Sequence, residues 1–197
     1  MIELAENRYG KSRVRLMKVT RSPEGNTLRE WTVQVLLTGD FDSAHYDGDN
    51  SKILPTDTMK NTVYSVARNS SAVSMEHYGK ELVDFLLGRN PQVSSASVAI
   101  ESTMWKRLTI DGKPHPTSFM RGSGEVQTTS VSRDQKGEFL IHSGFRNLVV
   151  MKTADSGFEG YIMDELTTLK ETSDRLFCTA VAADWRRSSS IGQHRAG

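Results

Sequence analysis

Thr56 and Asp57 open the run TDTMKNTVYSVAR, just ahead of Met59, Val63, Val66 and Ala67, whose spacing is helical. A hydroxyl and a carboxylate at a helix start either cap it or face a ligand. As caps they satisfy free amide donors, and Asp57 complements the positive end of the dipole. Lys11 is the second residue of interest. In KSRVRLMKVTR, strand alternation puts Lys11, Arg13 and Arg15 on one face and Val14 and Leu16 on the other. Neighbouring positive charge and partial burial both disfavour an ammonium, so such a lysine becomes available as a base; the alternative is a solvated basic strand face. Arg175 in ETSDRLF reads as an ion-paired strand residue, with Asp174 or Glu171 as its simplest partner, and Phe158 in DSGFEG as an aromatic that anchors a loop.

Other chemistries find little support. His45, His77, His115, His142 and His194 are scattered, and no set of histidine, cysteine and carboxylate has metal-ligand spacing, so no metal is expected. The glycines of RGSGE do not join a strand to a helix as a phosphate loop does; they signal a turn or bulge, and no nucleotide cofactor is indicated. The one cysteine, Cys178, lies in the apolar run RLFCTAV and is expected to be a packed core thiol rather than a nucleophile, compatible with a reducing compartment. A formal net charge of +1 over 197 residues argues against recruitment of nucleic acid or of acidic lipid. No apolar run approaches the ~20 residues that span a bilayer. MIELAENRYG has neither the basic start nor the apolar stretch of a signal peptide, so a soluble intracellular protein is expected.

The elements that must position these residues follow from periodicity. Trp31, Val33, Val35 and Leu37 alternate in LREWTVQVLLTG, and with the Lys11–Arg21 strand and the SPEGN turn they make a hairpin. A polar loop from Asp40 to Leu54 leads to the Thr56 helix. A second helix follows, with Met75, Tyr78, Leu82, Phe85 and Leu86 on one stripe. Ala96, Val98 and Ile100 then alternate in one strand, DGKPHPT turns, and SFMRGSGEVQTTSVSR forms another strand with a glycine break. Strands with two helices segregated between them predict an α+β layer, an antiparallel sheet with both helices on one face. That unit spans 8–133. A second, incomplete one begins over 134–187 with the hairpin-type region GEFLIHSG and FRNLVVMKT and the strand RLFCTAVAADW. Residues 188–197 read as an atypical, disordered tail.

Taken together and in order, RYGKSRVRLMKVTR, GDNSKILPTDTMKNTVYSVAR, DGKPHPTSF, LVVMKTADSGFEGY and DELTTLKETSDRLFCTAVAADW resemble urate oxidase, the cofactor-independent uricase family, from Arg8 to Trp185. The resemblance implies tandem T-fold (tunnelling-fold) units, each a hairpin, two helices and another hairpin. It implies that Lys11 and Thr56 form a proton relay beside a purine and that Asp57 supports its binding edge. Phe158 matches the aromatic that stacks on the flat ring, and Arg175 the arginine that grips a carbonyl and ring nitrogen, a task suited to a planar fork of donors. The implied reaction is oxidation of urate by molecular oxygen to 5-hydroxyisourate with release of hydrogen peroxide, with no metal or flavin. The implied assembly is a homotetramer whose sites take the Lys-Thr pair from one subunit and the Phe-Arg pair from its neighbour.

Departures from the family pattern carry their own expectations. Family members continue into a second helix pair and hairpin bearing a glutamine, an asparagine and a histidine at the site, and none of the three has a counterpart here. RRSSSIGQHRAG resembles nothing in the family, as a truncated or frame-shifted reading frame would produce. Thr117 stands where many relatives carry a second histidine. Missing site donors are expected to impair turnover, and an uncovered sheet face to favour association. The alternative is a non-catalytic T-fold chain that binds purine-like ligands or assembles with a full-length partner. A cytoplasmic location is expected, or a peroxisomal one in a eukaryote, although RAG is not the peroxisomal signal.

Overall fold

Alternating apolar residues build the sheet that organises this chain, whose computed structural model describes residue 4 and residues 6–187. The tail expected over 188–197 lies outside the described residues. Six strands, β1 (Tyr9–Thr20), β2 (Thr27–Gly39), β3 (Val93–Ile110), β4 (Lys113–Asp134), β5 (Leu140–Lys152) and β6 (Phe177–Arg187), form one antiparallel sheet in chain order. Between β2 and β3 run α1 (Asp42–Tyr46), α2 (Thr56–Asn69) and α3 (Met75–Arg89). The polar loop expected from Asp40 to Leu54 therefore holds the one-turn helix α1. None of its residues is buried, which is why apolar periodicity gives no sign of it.

Helices α2 and α3 lie on one face of the sheet, as the stripes predict. Met59, Val63, Val66 and Ala67 of α2 are buried, with Tyr78, Leu82, Val83, Leu86 and Leu87 of α3. They meet Val14, Trp31, Val33, Val35, Leu37, Ala96, Val98, Ile100 and Val131 from β1 to β4. Each fully buried side chain of this size contributes about 1.5–3 kcal/mol before entropy is counted. Trp31 and Tyr78 pack with ring centres 5.1 Å apart, and the Tyr78 hydroxyl donates to the Val63 carbonyl at 2.8 Å, joining both helices to the sheet. Gly79 lets α3 come close, since a Cβ there would stand 2.7 Å from a Val131 methyl. Lys18 Nζ from β1 donates to the carbonyls of Ala67 (2.8 Å) and Ser70 at the end of α2.

Two irregularities matter for the site. Lys11 pairs with Val35 and Val14 with Val33, so Ser12 and Arg13 together stand opposite Gln34 in a β-bulge, with Arg13 at φ 58°. The extra residue reverses the side-chain parity. Lys11 therefore lies on the helix side, level with buried Val35, while Arg15, paired with Thr32, lies on the other face. The expected grouping of Lys11 with Arg15 on one face is corrected, because alternation holds only along an unbroken strand. The other irregularity is the glycine break: residues 122–125 are inserted opposite Met104, between the pairs Arg121–Trp105 and Val126–Thr103. RGSGE is thus a bulge.

Among the described residues, the sheet continues beyond β4 without helices. GEFLIHSG and FRNLVVMKT contribute to the single strand β5, which shifts register between Phe145 and Leu148 and pairs with β6. Cys178 in β6 is exposed, not a core thiol. Its neighbourhood is apolar in sequence, but no described helix covers that part of the sheet. Among the described residues no helix is long and apolar enough to cross a membrane.

Candidate functional site

The five residues singled out by sequence fall into two groups on opposite edges of the sheet. Strand β1 and the start of α2 hold Lys11, Thr56 and Asp57; the connection between β5 and β6 holds Phe158 and Arg175. Five strand spacings of about 4.8 Å separate the two edges along the sheet.

At the first edge, Pro55 is the N-cap of α2 at φ −56°, and no side chain caps the helix. Thr56 and Asp57 are inside it, both exposed. The expectation that they cap it is corrected: proline already fixes the entry angle, and the Asp57 carboxylate turns along the helix to Lys60 and to Asn61 Nδ2 (3.1 Å). Lys60 is the chief cause that holds the Asp57 carboxyl below its usual range. Asn61 adds to this, and so does the charge of Lys11. Helix α2 packs directly against β1, the strand that carries Lys11. The Thr56 hydroxyl makes no hydrogen bond with another described residue, and as the first residue of α2 it sits where free amides and the helix dipole favour an anion.

At the second edge, Phe158 is bridged to Thr172, its N–H donating to the Thr172 carbonyl at 2.7 Å. Tyr161 stacks on it at 4.8 Å with 8° between planes and donates its hydroxyl to the Leu169 carbonyl at 2.7 Å. The Arg175 guanidinium lies 5.7 Å from the Phe158 ring centre. Neither acid expected to pair with Arg175 does so. Glu171 accepts from Gly160 N at 2.8 Å, and Asp174 from Asp155 N at 2.8 Å, because both carboxylates are spent on tight loop backbone. Arg175 Nε is buried and has no hydrogen-bond partner among the described residues. An aromatic face beside a fork of donors that is not neutralised can hold a flat, anionic, carbonyl-bearing ring.

A prominent cleft lies elsewhere. About 770 Å³ in volume, it follows the sheet face away from the helices and is lined by residues such as Arg13, Arg15, Glu30, Glu101, His142 and Arg146, with none of the five. Its anchor is Glu30, almost fully buried, bound by Arg15 (2.5 Å) and by Trp105 Nε1 (2.8 Å). Arg15, with help from Trp105 and Arg121, lowers its carboxyl despite burial. Sequence reasoning passed over Glu30; one acid beside the alternating Trp31–Leu37 run was the available signal. It also passed over Tyr9, whose signal was only its place ahead of Gly10 and Lys11. Among the described residues no three histidines, cysteines or carboxylates are grouped to hold a metal ion.

This geometry defines a class first: an α+β chain with an antiparallel sheet, two helices on one face and groups of polar residues at both edges. Comparison with known proteins then gives the family. The uricase family model matches residues 7–132 and 141–192, past Trp185 and into the segment expected to be unlike the family. Uricase from Dictyostelium discoideum is 40% identical over 188 residues, covering 94% of this chain and 65% of that protein. Uricase from Aspergillus flavus is 39% identical over 187 residues, 94% of this chain and 62% of that one. The crystal structure of uricase from Arthrobacter globiformis superposes with a TM-score of 0.81 at 35% identity, over 97% of this chain and 65% of that one. The chain belongs to the uricase family and has its T-fold architecture, and it spans under two thirds of the length of these relatives.

Proposed function

We propose that this chain supplies both halves of a urate oxidase site, and that copies of it, in a homotetramer, join the halves across subunit boundaries. Lys11, through the Thr56 hydroxyl, takes a proton from bound urate; Asp57 supports the binding edge; Phe158 stacks on the ring; Arg175 grips a carbonyl and ring nitrogen. The electron-rich dianion passes two electrons to molecular oxygen. Urate, oxygen and water give 5-hydroxyisourate and hydrogen peroxide, with no metal or flavin taking part. The helix start at Thr56 and the Arg175 fork favour negative charge where it develops. The same proposal includes a complete unit over 8–133 and a partial one over 134–187. The gap in the family match between 132 and 141 supports that division. It also includes a cytoplasmic setting, or a peroxisomal one in a eukaryote.

The observation that carries this is Arg175, drawn against Phe158 with a buried, unpartnered Nε while both nearby acids are engaged elsewhere. The test mixes two variants of the whole chain. K11A and R175A should each be inactive in urate loss and peroxide release. Mixed after co-refolding, they should regain turnover, since one interface then carries an intact Lys-Thr and Phe-Arg set. No turnover by the unmodified chain, with or without chelator, would sink the enzymatic reading. A second reading, a non-catalytic chain that assembles with a longer partner, is favoured by one specific feature: Ile162, Leu166 and Leu176 are 92%, 82% and 72% exposed.

A further inference from the structure

Tyr9 and Leu54 stand in the same relation to the two halves of the Lys11–Thr56 pair, each two residues upstream. Tyr9 pairs with Leu37 and Lys11 with Val35, so both side chains are on the helix side of β1. The Tyr9 ring packs edge-on against Phe41, with centres 4.8 Å apart and planes at 88°, and Phe41 is itself 1% exposed. The Tyr9 hydroxyl accepts from the Leu54 N–H at 2.7 Å and donates to the Leu54 carbonyl at 3.2 Å. Burial raises the phenol above its ordinary value, which keeps the proton needed for that donation.

Two hydrogen bonds from one oxygen to both polar groups of one residue hold Leu54 more firmly than either alone. Pro55 follows with its φ constrained, and Thr56 is then the first residue of α2. A chain of contacts thus runs from Phe41, through the Tyr9 ring and Leu54, to Pro55 and the first residue of α2. Gly10 completes the approach: a Cβ there would run into the Val35 carbonyl oxygen, so only glycine lets β1 lie as it does between Tyr9 and Lys11.

We propose that Tyr9 is a positioning residue that clamps the lysine strand to the helix start and sets the alignment of Lys11 with Thr56. This rests on the urate oxidase reading for its catalytic consequence, though not for the clamp itself. The Tyr9 hydroxyl is engaged with Leu54, so its effect passes through that contact. It acts on proton transfer and not on ring binding, which belongs to Phe158 and Arg175.

The test is Y9F, which keeps the ring on Phe41 and removes the hydroxyl, in the whole chain. Near-UV circular dichroism matching the unmodified chain establishes that the variant is folded; F41L, which loosens the ring seat and keeps the hydroxyl, serves as a second variant with a smaller effect. The expected result is a fall in kcat of roughly tenfold or more, with KM for urate nearly unchanged. The acid limb of kcat against pH should move as well. A general loss of folded protein would leave that limb in place. Folded Y9F with unaltered kcat and pH profile would overturn the proposal. If the unmodified chain turns over no urate, the oxidase reading fails and amide exchange at Leu54 decides the clamp alone. Roughly tenfold faster exchange in Y9F sustains it, and equal rates overturn it.

Discussion

The same strand chemistry has opposite outcomes in the two parts of this sheet. From β1 to β4, alternate apolar residues meet α2 and α3 and vanish from solvent; Val33, Val35, Val98 and Val131 are all 0% exposed. From β5 onward the described residues contribute Ile141 as their one buried large apolar side chain, while Val149, Met151, Leu176 and Trp185 stay open. Ladder pairing extends through both parts and is interrupted by bulges in both, so hydrogen bonding is not the difference. The helices are. A strand pattern specifies which residues share a face, but burial requires a second layer over that face. The two groups of candidate residues follow this division. Lys11 and Thr56 are held by elements packed into the core, whereas Phe158 and Arg175 are held by hydrogen bonds and ring contacts within a loop.

Substitutions in the two regions should therefore differ in kind. The largest effect is expected for Leu82→Ala, which empties a fully buried site under α3 and should cost about 2–5 kcal/mol in urea unfolding. Gly10→Ala should come next, at about 1–3 kcal/mol, because the strand must retreat from the Val35 carbonyl. It should also displace Lys11 and lower any urate turnover more than its stability cost explains, measured by parallel melting and kinetics. Glu30→Gln should cost about 1–2 kcal/mol at neutral pH through weakened bonds from Arg15 and Trp105. The sign of its pH dependence is set by a carboxyl lowered in the folded state. Its contribution is present above the unfolded value of ~4.3 and is lost as pH falls through the lower folded value. Melting curves of the unmodified chain and E30Q should thus converge in acid; a constant gap would count against the ion pair. Smallest is Ile162→Ser in the uncovered region. Its stability should shift by no more than about 0.5 kcal/mol, while self-association in sedimentation velocity should fall. A stability loss as large as that of Leu82→Ala would mean the second region is packed after all.

Much of the architecture was legible because it is written in local periodicity. The stripes Met59, Val63, Val66, Ala67 and Tyr78, Leu82, Leu86, and the alternation Trp31 to Leu37, point to the faces they occupy. Helix α1 escaped because a single exposed turn needs no apolar stripe. Of the site, the identities of Lys11, Thr56, Asp57, Phe158 and Arg175 came from motif resemblance, and their roles remain a proposal.

By itself, the sequence determined the order of the long strands and helices around the core, the apolar faces of α2, α3 and β2, and the family-like motifs, because each depends on residues close together in the chain. Only the tertiary structure decided three matters. One is the face of Lys11, reversed by a bulge that exists because two residues of β1 must share one partner on β2. Another is the state of Arg175, free of Asp174 and Glu171 because distant turns claim those acids. The third is the exposure of Cys178, whose apolar neighbours look like a core but have no layer of described residues above them. Each depends on which long-range contact wins a competition, and local spacing carries no record of the winner.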